Sequence, residues 1–501
     1  MKKRFNIKKI LIIVALVALL AACALVLVLC TGENHVPGRA VREDASDPTC
    51  ANRGIYYEVT YCLKCDEEIE RKTKYIDRID HDFSGSICTA CGFDSSVPES
   101  TPGLYFESAY DENGYEVYYL DNIGSCTDVE EIVIGSYNGR PVTRIKYGAL
   151  EYCKNLKRVI ICDNVEKIES YAFNECSSLE SIVLPTNKYL ETIEFGTFRG
   201  CKSLVSINIP QSIKRINGEA FFGCSSLTNV TLPSNLRELG ANAFRYCTSF
   251  TEITIPSSLI SIGKSAFAQC VNVEKLTLSH GVASIDTQAF YGCTKLSDVS
   301  LPESLSSIGE SAFTACVSIT DIKLGENLRT IGANAFYNCT ALTSVEFADK
   351  VENPDITVNI QTAAFSNCSS LASINLPENV VTLGSKVFSE CDSLVEVVLP
   401  DRITRIFDET FMGCSNLKKV TFGSSIRCIG ARTFLDCDSL ETVVFTDPAN
   451  WQRTDDDTYA GGENIQKKYL NNPEITALCM TNEKDNGQEW IGLLYSYLKK
   501  G

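Results

Sequence analysis

Ile262-Gly263-Lys264-Ser265-Ala266-Phe267-Ala268-Gln269-Cys270-Val271-Asn272-Val273-Glu274-Lys275-Leu276-Thr277-Leu278 is one copy of a pattern that recurs from about Val142 to Phe445. Written out, it reads I-G-x-x-A-F-x-x-C-x-x-L-x-x-V-x-L-P. Its cysteine column holds thirteen members, from Cys153 to Cys437, spaced 23 residues apart except for 25 before Cys201 and 29 before Cys368. A fixed period in the twenties with apolar residues at fixed offsets is the signature of a solenoid.

Three residues before each later cysteine stands Phe, from Phe173 to Phe434, and three after it an apolar residue, most often Leu. The inward residues of a short strand follow at six and eight, as in Ile207 with Ile209 and Val230 with Leu232. The apolar side chains of one such coil bury too little surface to offset the entropy of ordering its backbone. Stacking closes that gap, because each coil covers the open face of the next. About 13 coils follow from the count.

These residues resemble the BspA-type leucine-rich-repeat family of surface proteins over roughly residues 104 to 460. The resemblance implies an α/β solenoid: a leucine-rich-repeat superhelix with a parallel β-sheet lining one face, capped at both ends. It also implies adhesion or ligand binding rather than catalysis. The departures are local. Thr197, Val387, Thr410 and Thr433 replace the Ala before Phe, and Leu150 replaces the first Phe.

Charge narrows the partners. The chain has 63 acidic and 46 basic residues, a net −17, and five of the positives precede the first apolar run. Such a surface repels phosphate backbones, and no basic stripe with interleaved aromatics is present, so nucleic acid is excluded as a partner. Thirteen of the 24 cysteines fall in the repeat column. They read as small buried hydrophobes whose weak S–H donor can reach a turn carbonyl, and disulfides along the column are not expected.

Residues 1–9 are basic, and Ile10 to Cys30 is a run of 21 residues without a charge or polar amide. As a helix this run spans roughly 30 Å, a bilayer's hydrocarbon thickness. The basic flank keeps the N-terminus in the cytoplasm and exports the rest, giving a single-pass anchor at residues 10–30 with the repeats extracellular. Leu20-Ala21-Ala22-Cys23 also resembles a bacterial lipobox, and Ala22-Cys23-Ala24 fits a cleavage site. Either cut would strand apolar residues 25–30 at the new N-terminus, which favours the uncut anchor.

A linker, 31–49, leads to a four-cysteine module, 50–92. Cys62-x-x-Cys65 and Cys88-x-x-Cys91 stand at the spacing of a tetrahedral structural zinc site. Cys50 and His81 are replacement ligands. The module resembles small zinc-ribbon-like units found beside repeats in bacterial surface proteins. On the exported side two disulfides would serve the same structural end, so zinc is the preferred reading of two.

Residues 93–103 read as a second linker and 104–144 as a cap. There Asp111-Glu112-Asn113-Gly114 joins two strand-like runs as a hairpin. The repeats occupy 145–446 and a C-terminal cap 447–501, whose Trp490, Ile491, Leu494, Tyr497 and Leu498 share one helical face.

Side chains alternate along a strand, so the position seven after the cysteine points outward. It reads Asn208, Thr231, Thr254, Thr277, Ser300, Lys323, Glu346 and Asn375, the floor of any ligand-binding strand face. These residues suit a solvated strand equally well, and no aromatic hot spot stands among them. The longer steps, around Thr186–Tyr189 and Lys350–Asp355, emerge as surface loops where specificity is commonly carried. Catalysis finds no support. Three histidines stand outside any nucleophile motif, and G-x-S-x-G, H-E-x-x-H and a phosphate loop are absent. The reading is a non-enzymatic, anchored surface protein binding an extracellular protein or glycan. The alternative is a self-associating scaffold without a dedicated ligand.

Overall fold

The computed structural model describes residues 96–447, except 112–113, 126 and 349–354, together with the backbone of strands at 41–46, 54–61, 68–76, 83–84, 87–88, 451–454, 463–464 and 497–500. The chain forms two compact units, residues 1–97 with 108–117, and residues 98–107 with 118–501. In the first, Val41–Ser46, Gly54–Tyr61 and Glu68–Ile76 form an antiparallel sheet, with Tyr57 opposite both Glu43 and Thr73. Phe83–Ser84 pairs with Ile87–Cys88. The first of these strands lies within the stretch read as linker.

The second unit is a parallel-strand solenoid of about 14 turns. The extra turn precedes the cysteine column: Glu131–Ile134 pairs in parallel with Arg158–Ile161 before Cys153 is reached in the stack. Two points correct the expectation from sequence. Among the described residues the repeats contain no helix, so the fold is β rather than α/β. Most coils also contribute to two parallel ladders, not one. The first follows the cysteine, as in Glu252–Ile255 against Lys275–Leu278. The second follows the next bend, as in Ser261–Ile262 against Ser284–Ile285.

The first ladder is interrupted at residues 228–232, which form no strand. Val230 and Leu232, expected to point fully inward, are only partly buried there.

What joins coil to coil is the turn ahead of the cysteine. In every one of the thirteen coils the residues five and one before it have positive φ, from Gly148 and Tyr152 to Arg432 and Asp436. Most are not glycine. The bracketed amides point forward. Tyr171 N–H donates to Phe195 O at 3.0 Å, Phe173 N–H to Thr197 O at 2.9 Å and Glu175 N–H to Arg199 O at 2.6 Å. A left-handed residue with a Cβ costs about 1–2 kcal/mol, so stacking imposes a conformation that one coil would not hold alone.

Inside, the phenylalanines make a continuous stack from Phe173 to Phe434, neighbouring ring centroids lying between 4.9 Å (Phe221–Phe244) and 6.0 Å (Phe365–Phe388) apart. Phe244, Phe267 and Phe290 are fully buried, as the sequence required. The motif's Ile-Gly is also explained: a Cβ on Gly263 would lie 2.3 Å from Leu239 O of the preceding coil.

Both ends of the second ladder are covered. Glu116–Asn122, neighbour of Tyr105–Tyr110, pairs in parallel with Arg140–Ile145 through Tyr118, Tyr119 and Leu120. The expected turn closes with Asp111 N–H to Tyr115 O at 2.9 Å. A second Asn-Gly, at 138–139, has positive φ at both residues and folds Ser136–Tyr137 onto Arg140–Pro141. At the other end Tyr497–Lys500 runs antiparallel to Cys428–Ile429 and to Trp451–Thr454. Tyr497 and Leu498 therefore stand in a strand and not on a helical face; Trp490, Ile491 and Leu494 lie outside the described residues.

Two substitutions test this account in opposite directions. Ala315→Gly relieves a left-handed alanine at φ 59° and is expected to stabilise by about 1 kcal/mol. Phe290→Ala, which opens the stack, is expected to cost about 3–5 kcal/mol. Urea denaturation of both variants checks the pair of signs.

Candidate binding surface

The first ladder presents the expected outward residues. Asn208, Thr231, Thr254, Ser300 and Lys323 are exposed and Thr277 is half-buried. Register brings Thr254 beside Thr277, Thr277 beside Ser300, and Lys323 beside Glu346. They do not form one continuous floor, because Thr231 stands in the interruption and the sheets divide again between Ser300 and Lys323. Lys323 Nζ lies 3.3 Å from Glu346 Oε2, an exposed ion pair worth little to stability.

Beside this pair the face bends into a concavity of about 520 Å³, whose lining includes Glu303, Lys323, Glu346, Phe347 and Asn375. Phe347–Ala348 leads directly into the longer step, of which residues 349–354 lie outside the described chain. The shorter insertion is pinned to the coil before it. Thr186 N–H donates to Asp163 Oδ1 at 2.6 Å and Asn187 Nδ2 to Val165 O at 2.7 Å, leaving Tyr189 exposed.

The cysteine column is structural. From Cys201 on, each Sγ–H donates to the carbonyl of the preceding coil's phenylalanine, as Cys270 does to Phe244 O at 3.2 Å; Cys176 uses Leu150 O instead. The column cysteines are free thiols. Burial pushes Cys293, Cys339 and Cys391 up to about 12, partly opposed by backbone hydrogen bonds. Thiols held neutral in this way are not nucleophiles.

Sequence reading missed the turn edge. Outward positions at or beside the left-handed residues carry Arg199, Phe222, Arg245 and Tyr246, with the Phe222 and Tyr246 rings 5.4 Å apart and each guanidinium over a ring. In the last coils the same edge carries an ion triad. Glu409, nearly buried, accepts from Lys386 at 3.1 Å and Arg432 at 2.6 Å. The signal was available as departures from small residues at fixed register.

Of the metal candidates, Cys62, Cys65 and Cys91, with Cys50 and His81, lie outside the described residues, and only the backbone of Cys88 is placed, in its hairpin strand. Among the described residues no group of three or more His, Cys, Asp or Glu could hold a metal ion. No helix among them is long and apolar enough to cross a membrane; residues 10–30 are not among them.

With two ladders, a phenylalanine stack and a cysteine column established, the repeat can be compared with known proteins. Residues 143–272, 237–355 and 349–466 match the BspA type leucine rich repeat region. The chain belongs to this family. A leucine-rich repeat protein from Bacteroides ovatus is similar in structure, with 26% identity and TM-score 0.53, covering 68% of this chain and 93% of that one. A leucine rich cell surface protein from Faecalibacterium prausnitzii matches at 23% identity and TM-score 0.40, covering 69% and 96%. The pneumococcal vaccine antigen PcpA matches at 16% and TM-score 0.32, covering 71% and 82%. No curated protein matches. Membership supports a repeat-based binding or adhesion scaffold, in a family that is generally non-enzymatic.

The thiol column makes this BspA-type array sensitive to base. In the unfolded chain a cysteine ionises near pH ~8.5. In the folded one Cys293, Cys339 and Cys391 stay neutral to about 12. Above the lower value the unfolded state binds fewer protons, so stability falls as pH rises through this window. Thermal unfolding should drop steeply from about pH 8.5 upward, and a Cys→Ala series along the column should flatten the slope.

Proposed function

We propose that this chain is an exported, membrane-anchored repeat scaffold that holds an extracellular protein or glycan on its outward side chains and catalyses nothing. One observation carries the reading. The inward columns keep Phe and Cys coil after coil, while the outward position runs through Asn208, Thr254, Ser300, Lys323, Glu346 and Asn375. Stacking fixes the interior and leaves the outside free to be chosen for a ligand.

On the first-ladder face the concavity beside Lys323, Glu346 and Asn375 is the favoured contact, since it adjoins the longest departure from the repeat. Anchoring rests on the apolar run at 10–30 and its basic flank. Cys62, Cys65, Cys88 and Cys91 would hold a structural zinc ion in the segment between anchor and repeats. Four thiolates fill a tetrahedral shell and leave no open position for chemistry.

The test is an unbiased pull-down with residues 31–501 from host and matrix material, followed by titration of what is captured. Saturable binding that weakens about tenfold on combined Lys323→Ala, Glu346→Ala and Asn375→Ala supports the reading. Concentration-dependent self-association with no saturable ligand would replace it with a structural surface protein.

A further inference from the structure

At its beginning the turn edge carries three large rings on successive coils. Five and six residues before the column cysteine most coils place small or polar residues, such as Ala241 and Asn242 or Ala333 and Asn334. The first three place Tyr147, Tyr171 and Phe195 there instead. Their rings meet edge to face, with centroids 5.5 and 5.4 Å apart. Tyr147 is 64% exposed and Phe195 37%, with Tyr171 half-buried between them.

The sequence provides seats for these rings. A Cβ on Gly196 would lie 2.7 Å from Tyr171 Cε1, and one on Gly218 would lie 3.0 Å from Phe195 Cε2. Glycine in the next coil is thus what allows each ring to lean across it. Exposed aromatic strips of this kind are costly on a monomer's surface and mark interaction sites.

Two carboxylates frame the strip. Glu151 accepts from Asn174 Nδ2 at 2.6 Å and Glu194 from Asn217 Nδ2 at 2.8 Å, and among the described residues neither has a cation partner. The Tyr171 phenol is raised by burial first, then by Glu219, Tyr147 and Glu151, against the pull of Arg199, so these groups share one electrostatic neighbourhood. Some other rings are already matched with a cation of the same chain: Tyr119 with Arg144 at 4.7 Å, Tyr189 with Lys188 at 5.1 Å and Tyr246 with Arg245 at 5.0 Å. Among the described residues no cation lies over Tyr147, Tyr171 or Phe195.

We infer that the edge formed by Tyr147, Tyr171 and Phe195 docks a basic segment of a protein partner, whose Arg or Lys side chains lie on these rings and pair with Glu151 and Glu194. The inference rests on the binding role proposed above and adds the site and the partner's chemistry. Rings attract cations through their faces, and Tyr and Arg are both enriched among interface hot spots. The chain's net charge of −17 draws a cationic partner inward from a distance.

The test titrates a fluorescein-labelled nona-arginine peptide against the full chain by anisotropy, at low and at physiological ionic strength. Combined Tyr147→Leu and Tyr171→Leu leaves the net charge unchanged and is expected to weaken binding about tenfold. Tyr171→Phe, which keeps the ring, should bind as the parent does. Glu151→Gln with Glu194→Gln should weaken binding and reduce its salt dependence. Thermal unfolding of each variant shows that the solenoid is intact.

Equal affinity for the leucine variant would mean that diffuse negative charge alone holds the peptide, and would overturn the site. Binding of a neutral oligosaccharide that the leucine variant loses would assign the edge to glycan and overturn the basic partner. A chain that ignores these substitutions yet captures a saturable ligand through Lys323 and Glu346 keeps its binding role and loses only this site.

Discussion

The hydrogen-bonded turn before each cysteine is the constraint on which the array depends. Alternate amides at Tyr171, Phe173 and Glu175 reach forward to Phe195, Thr197 and Arg199. That reach requires left-handed residues at both ends of the turn, and most of them carry a side chain. The cost is repaid by neighbours only, so the unit of stability is a pair of coils and not a coil. Phenylalanine stands between the two strained residues because a flat, rigid ring fills the turn and meets its copy in the next coil at about the coil spacing.

The cysteine column belongs to the same device. The thiol is small enough to sit under the ring, and its weak donor satisfies the phenylalanine carbonyl of the coil behind, as at Cys270 and Phe244. Serine would make a stronger hydrogen bond but would cost more to bury. Where the first phenylalanine is replaced by Leu150, Cys176 still donates to the same carbonyl, at 3.0 Å. The backbone geometry therefore survives a change of side chain, which is why the departures at Thr197, Val387, Thr410 and Thr433 leave the array intact. Those three threonines also turn a hydroxyl back to the backbone; Thr410 Oγ1 donates to Phe407 O at 2.7 Å.

With the interior fixed, the function of this BspA-type chain is written on the positions packing leaves free. The first-ladder face is mostly short and polar, and it changes character near Lys323 and Glu346, where a concavity adjoins the long insertion. The turn edge grades along the array instead. It begins with Tyr147, Tyr171 and Phe195 and ends with the ion triad of Lys386, Glu409 and Arg432. One repeat thus carries different surfaces at its two ends without altering its core.

The repeat period, the inward columns, the neutral state of the thiols and the N-terminal hairpin were legible in the sequence, because each rests on side-chain type at fixed spacing. Tertiary structure alone decided the rest. It gave the non-strand segments turns in place of helices, since two left-handed residues per coil are incompatible with a helix and become affordable only against a neighbour. It added the second ladder, whose strands, most of them two residues long, are too short to show alternation. It broke the expected floor at Thr231, which stands in no strand. And it gathered Tyr147, Tyr171 and Phe195 into one strip, which in sequence stand more than twenty residues apart and become adjacent only because each coil lies directly on the last.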